Sequence, residues 1–196
     1  TQKLREVQST NSDRVVTGIN EFDRVMGGGI VRDSVTILTA KPGAGKSTLL
    51  LQVANNIAKM GLDVLYASGE ESASQIKSRA DRVLMNINDR LHVISDNSLD
   101  NVMEEINRTN PEFIIVDSIQ TFTMEAYQPS RAGSPTQTME CAYELVRLAK
   151  NSKNPKIVFI VGQMTKEDEL AGVRALEHLV DTVLVIEGES GEELRS

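Results

Sequence analysis

Short β-branched runs alternate along this chain with longer segments whose apolar residues fall at helical spacing. The runs Val35-Thr36-Ile37-Leu38, Asp63-Val64-Leu65-Tyr66-Ala67, His92-Val93-Ile94-Ser95, Phe113-Ile114-Ile115-Val116, Ile157-Val158-Phe159-Ile160-Val161 and Thr182-Val183-Leu184-Val185-Ile186 predict strands. Between them, three-to-four spacing predicts helices. The first is a short one through Ile19, Phe22, Val25 and Met26, stopped by Gly27-Gly28-Gly29. The next carries Leu49, Leu50, Val53, Ala54, Ile57 and Ala58. Ser72 and Gln75 make a capping box for a helix with Ile76, Ala80, Val83 and Leu84 on one face. Further helices carry Leu99, Val102, Met103 and Ile106, then Met139, Ala142, Tyr143, Val146 and Ala149, then Leu176, Leu179 and Val180.

Strand and helix in regular alternation imply an α/β fold with a mainly parallel central sheet and helices on both faces. Residues 1–17 are polar and read as an N-terminal arm, leaving 18–196 as one domain. Ile119 to Pro135 and Met164 to Arg174 are polar and read as exposed loops.

Composition narrows the class. Hydrophobic residues at 40% and charged residues at 25% are ordinary for a globular domain with a real core. Aromatics are only 4% and Trp is absent, so the core is aliphatic. No apolar run is long enough to span a bilayer and no signal peptide is visible, which favours the cytoplasm. One cysteine, Cys141, excludes a disulfide or a Cys-rich zinc site within this chain, and it reads as a packing or surface residue. The net charge of −7 argues against general DNA coating, so any nucleic-acid contact must come from a local basic patch. A chain opening at Thr1 and closing at Ser196 reads as part of a longer protein.

The chemistry concentrates after the first strand. Ala40, Lys41, Pro42, Gly43, Ala44, Gly45, Lys46, Ser47 and Thr48 lie between a strand and a helix, the setting a phosphate-binding loop needs. Small residues let successive N–H groups face phosphate oxygens, and the helix start adds its positive dipole end. Lys46 reaches the β/γ-phosphates and the Ser47 hydroxyl holds Mg²⁺. The strict pattern opens with Gly, and here that position is Ala40. The alternative is a chance glycine-rich turn.

Two further strands end in acids. Asp117 closes an apolar strand, the expected form of the second nucleotide motif, in which the acid orders the water shell of the metal. Glu70 and Glu71 follow another strand, where one can orient an attacking water or both can simply favour a helix N-terminus. His92 reads as structural, and His178 as a packed or hydrogen-bonded residue.

Several stretches together resemble the RadA/Sms family of bacterial DNA-repair ATPases, which carry a RecA/DnaB-like P-loop NTPase domain. They are the segment from Gly18 to Val25 with its glycine triplet, Lys46 to Gln52, Ser68 to Ser72 and Val116 to Thr121. The most specific is Ala171 to Leu184. The resemblance implies an ATP- and Mg²⁺-dependent motor that acts on single-stranded DNA and drives branch migration as a homohexameric ring. Recombinase or replication proteins are partners it leaves room for. It also implies that Glu70 activates the water, that Glu71 assists, and that Gln163 senses the γ-phosphate. The loops Gln120–Pro135 and Thr165–Arg174 would line the DNA channel, with Arg131, Lys166 and Arg174 on the phosphate backbone. Loop basic residues are otherwise simply solvated.

The chain departs from the family pattern at Ala40, at Gln163, where the family usually has His, and at Val173, where it usually has Pro. The family's zinc finger, its Lys-Asn-Arg-Phe-Gly motif and its Lon-like domain are not in this sequence. Weak hydrolysis is therefore expected of the chain alone. The rival reading is a nucleotide-regulated ring-assembly module that binds protein instead of DNA.

Overall fold

The computed structural model describes residues 1–7, 14–41, 45–163, 173–187 and 193–195. A seven-stranded sheet forms the centre. Its strands are β3 (Val35–Ala40), β4 (Val64–Ser68), β5 (Leu91–Ser95), β6 (Phe113–Asp117), β7 (Ile157–Gln163), β8 (Thr182–Glu187) and β9 (Glu193–Arg195). The order across the sheet is β5-β4-β6-β7-β3-β8-β9. The six predicted strands are all present and pair in parallel, and β9 adds to β8 in the antiparallel sense. The mainly parallel α/β fold expected of a RecA-like P-loop domain is thus observed.

Alternation along each strand sorts the core into two layers. Leu38, Val64, Tyr66, Phe113, Ile115 and Phe159 face α2 (Lys46–Lys59) and α3 (Ala73–Val83). Ile37, Leu65, Ile114, Val116 and Ile160 face α4 (Leu99–Thr109) and α5 (Pro135–Ala149). Both faces are covered, which is why β3, β4 and β6 are buried along their whole length and read as continuous apolar runs. The edge strand β5 is the most open of the parallel strands, with His92 and Val93 exposed.

Residues 1–7 of the expected arm are exposed, but its end joins the fold. Residues Arg14–Val15 form β1 and pair antiparallel with β2 (Ile30–Val31). Val15 is buried in the core, and Arg14 donates to the carbonyls of Met26 and Gly29. The glycine corner is equally fixed. The Asp23 carboxylate accepts from Thr17 N, Thr17 Oγ1 and Gly18 N, and the Asp23 carbonyl accepts from Gly28 N and Gly29 N. Phe22, on α1 (Asn20–Val25), is thereby set into the core beside Phe159. The Arg14–Gly29 and Phe22–Phe159 contacts are long-range pairings that a local pattern does not show.

Two other expectations change. The stretch after β6 is not simply an exposed loop. Ile119 and Phe122 are fully buried, Thr123 bridges Ser98, and the buried Gln137 side chain bonds Met124 N, Met124 O and Ser130 O. Only its far part, including Arg131, is exposed. The last predicted helix, described over Val173–Leu176, ends ahead of Leu179 and Val180. A turn follows, with Leu179 N bonded to Leu176 O and His178 exposed. Asp181 then accepts from Val35 N and Lys150 Nζ, which fixes the start of β8 and ends the helix early.

Cys141 is fully buried, and burial pushes its thiol up to about 12. Almost no thiolate exists at neutral pH, so the thiol is inert. The native protein is expected to leave a thiol reagent such as Ellman's untouched, with reaction appearing only on denaturation. Labelling of the native chain at the rate of free cysteine would show that α5 opens.

Candidate nucleotide site

The C-terminal ends of four adjacent strands assemble the predicted residues. In the order β4-β6-β7-β3, these ends carry Glu70 and Glu71, Asp117, Gln163 and Ala40. Register fixes their levels. Ser68 lies opposite Asp117, Asp117 opposite Val161, and Gln163 opposite Ala40. This carboxyl edge is where parallel sheets place ligands.

Helix α2 begins at Lys46 after Gly45, which sits at φ 77°, a left-handed conformation that favours glycine. No side chain caps this helix and no acid lies in its first turn. Its leading N–H groups therefore meet no side-chain acceptor among the described residues, and the helix N-terminus can take an anion. Ser47 and Thr48 are half-buried on that first turn. Pro42, Gly43 and Ala44, read as the middle of the phosphate loop, lie outside the described residues.

Lys46 Nζ donates to Asp117 Oδ1 at 2.9 Å across the gap between α2 and β6. Asp117 is almost fully buried. Its second oxygen accepts from the Tyr66 hydroxyl at 2.6 Å. Tyr66 shares the sheet face of Phe113 and Ile115, and strand alternation places Asp117 on that face too. Burial, then the Asp117 charge and its hydrogen bond, raise the Tyr66 hydroxyl well above its ordinary pKa, so it stays a donor. Tyr66 was not among the predicted site residues, because its role depends on register and not on any local motif.

The two glutamates differ. Glu70 is exposed, and its carboxylate meets no partner among the described residues. Glu71 is half-buried and its Oε2 accepts from Arg79 Nη1 at 2.5 Å. The turn that carries them leans on the segment after β6. Gly69 N donates to Asp117 O, and a Cβ at Gly69 would lie 2.2 Å from Thr121 Oγ1 and 2.9 Å from Thr121 Cβ. Thr121 is β-branched and its Oγ1 donates to Ser118 O, so it cannot swing aside freely. Gly69→Ala is expected to cost about 1–3 kcal/mol of stability through overpacking. Thermal denaturation checks this, and an unchanged midpoint would show that the contact gives way.

Gln163 ends β7 with its backbone held by one side chain. Gln120 Oε1 accepts from Gln163 N at 3.2 Å and Gln120 Nε2 donates to Gln163 O at 3.1 Å. The segment after β6 is thus tied to the position expected to sense phosphate. Of the expected DNA contacts, Arg131 is exposed near the start of α5. Arg174 lies on the helix Val173–Leu176, its side chain outside the described residues, as is all of Lys166. The described residues do not bring the three together.

The donor set fits Mg-ATP. A helix N-terminus without a cap suits phosphate oxygens, Lys46 supplies a cation there, and Ser47 with Asp117 offers the oxygen ligands that a hard divalent ion takes.

Residues 1–169 match the family described as AAA domain, and the chain belongs to that family. Its relatives bear out the resemblance read from the sequence. The DNA repair protein RadA of Bacillus subtilis is 46% identical over 186 residues, which cover 95% of this chain and 40% of that protein. The DNA repair protein RadA of Streptococcus pneumoniae is 48% identical over 187 residues, covering 95% and 43%. That of Campylobacter jejuni is 44% identical over 192 residues, covering 98% and 42%. The chain spans about two fifths of the length of these relatives. No helix among the described residues is long and apolar enough to cross a membrane.

Proposed function

We propose that residues 18–196 are the motor domain of a DNA-dependent ATPase in recombinational repair, acting in the cytoplasm as a homohexameric ring. The observation that supports it most is the adjacency of Lys46, Asp117 and the Glu70–Glu71 turn on one sheet edge. Those are the parts phosphoryl transfer to water requires, because its catalysis is mostly positioning and charge stabilisation.

In this reading Ala40 to Thr48 wrap the triphosphate. The α2 N-terminus and Lys46 stabilise charge on its outer oxygens. Lys46 turns from Asp117 toward phosphate when nucleotide arrives. Tyr66 keeps Asp117 in place during that exchange. Magnesium would be held by the Ser47 hydroxyl and, through water, by Asp117, and it would supply further neutralisation of the β and γ oxygens. Glu70 orients the attacking water, with Glu71 assisting. Gln163 registers the loss of the γ-phosphate, and Gln120 passes that change to the segment after β6. Arg131, Lys166 and Arg174 would grip the DNA backbone, and a cation from the next subunit would complete the site.

The deciding experiment measures ATP hydrolysis with and without single-stranded DNA across a salt series. Stimulation by DNA that weakens with salt is expected. Nucleotide-dependent assembly with no DNA stimulation and no salt-sensitive DNA binding would favour the ring-assembly module instead.

A further inference from the structure

The two glutamates after β4 are held very unequally. Glu71 is anchored three times: its N–H donates to Ser68 Oγ, its carbonyl accepts from Ser95 Oγ at 2.6 Å, and its carboxylate accepts from Arg79. Gly69, on the other side, is anchored by its N–H to Asp117 O. Glu70 stands between two fixed residues and has no anchor of its own among the described residues.

We propose that Arg79 is a positioning residue, acting through Glu71 to hold the turn that presents Glu70 to the nucleotide; this rests on the ATPase reading above. Arg79 lies on the second turn of α3, eight residues beyond Glu71, and its side chain is only 17% exposed. The pair is therefore less screened than a surface pair. Burial works against the guanidinium, but the Glu71 hydrogen bond and the carboxylate charges of Glu71 and Asp117 outweigh it and hold it protonated. Arg79 Nε and Nη2 are buried and meet no acceptor among the described residues. What the guanidinium does engage is the carboxylate next to Glu70.

The test compares Arg79→Met, Arg79→Lys, Glu71→Gln and the Arg79→Met/Glu71→Gln double variant in Mg-ATP turnover. Arg79→Met should lower kcat by about tenfold with KM held within about twofold, because misplaced groups cost chemistry before binding. Arg79→Lys should recover most of that loss, as it keeps a cation beside Glu71. The loss in the double variant should fall well short of the product of the two single losses, because both changes break one shared contact. Full turnover in Arg79→Met, losses that multiply in the double variant, or an Arg79→Lys variant as slow as Arg79→Met would each overturn the proposal. Should the unsubstituted protein bind Mg-ATP without hydrolysing it, the ATPase reading fails by itself. Arg79 is then judged by affinity for ADP with magnesium and aluminium fluoride, where the same ranking supports it and equal affinities overturn it.

Discussion

Lys46→Ala is expected to reduce ATP turnover by about 10²–10³-fold, the usual effect of removing one donor aimed at developing charge. Two losses combine. The variant lacks the cation that neutralises the outer phosphates, and it leaves Asp117 with Tyr66 as its remaining partner in a nearly closed site. The fold should survive, because Lys46 is the first residue of α2 and the fully buried residues of that helix begin at Leu50. Circular dichroism should be unchanged while hydrolysis, measured by phosphate release, and nucleotide affinity, measured by calorimetry, both fall. A variant that hydrolyses ATP at the original rate would remove Lys46 from the site and with it the phosphate-loop reading.

The largest effect on stability is expected at Phe159. It lies in the middle of β7, fully buried, with Thr36 of β3 and Ile115 of β6 beside it in register. Its ring centroid is 5.1 Å from that of Phe113 and 5.9 Å from that of Phe22. Truncation to alanine in such a core costs about 3–5 kcal/mol through lost burial and the cavity left behind. In a domain of this size that corresponds to a melting point lower by roughly 10 °C. Phe22 belongs to the segment before β2, so the same variant should loosen α1 and expose the amides around Asp23 to hydrogen exchange. A fall of only one or two degrees would mean that neighbouring side chains collapse into the space.

Why some features could be read from sequence and others not is clear from particular residues. Lys46, Ser47 and Asp117 announce themselves because their neighbours do. A β-branched run, small residues and a helical repeat surround the first two, and an apolar strand ends in the third. The β1–β2 pairing gave no such sign, since two-residue strands have no period to detect and their partner lies across the glycine corner. Ile119 and Phe122 were hidden for a related reason. They sit among polar residues, and only the packing of α4 and α5 over the sheet buries them. The last helix ends before Leu179 and Val180, where the bonds of Asp181 to Val35 and Lys150 compete with their apolar spacing.

Local order along the chain, the alternation of period two with period three to four, determined by itself the α/β class and where phosphate chemistry sits. Those properties depend on neighbours within a turn or a strand, so they are written locally. The partners of the acids were decided by tertiary structure alone. Tyr66 meets Asp117 because β4 and β6 lie side by side in one register, and Arg79 meets Glu71 because α3 folds back over the strand it follows. Gln120 clasps Gln163 across forty-three positions of chain. Side-chain contacts between separate elements depend on strand order and crossover, which no single segment encodes.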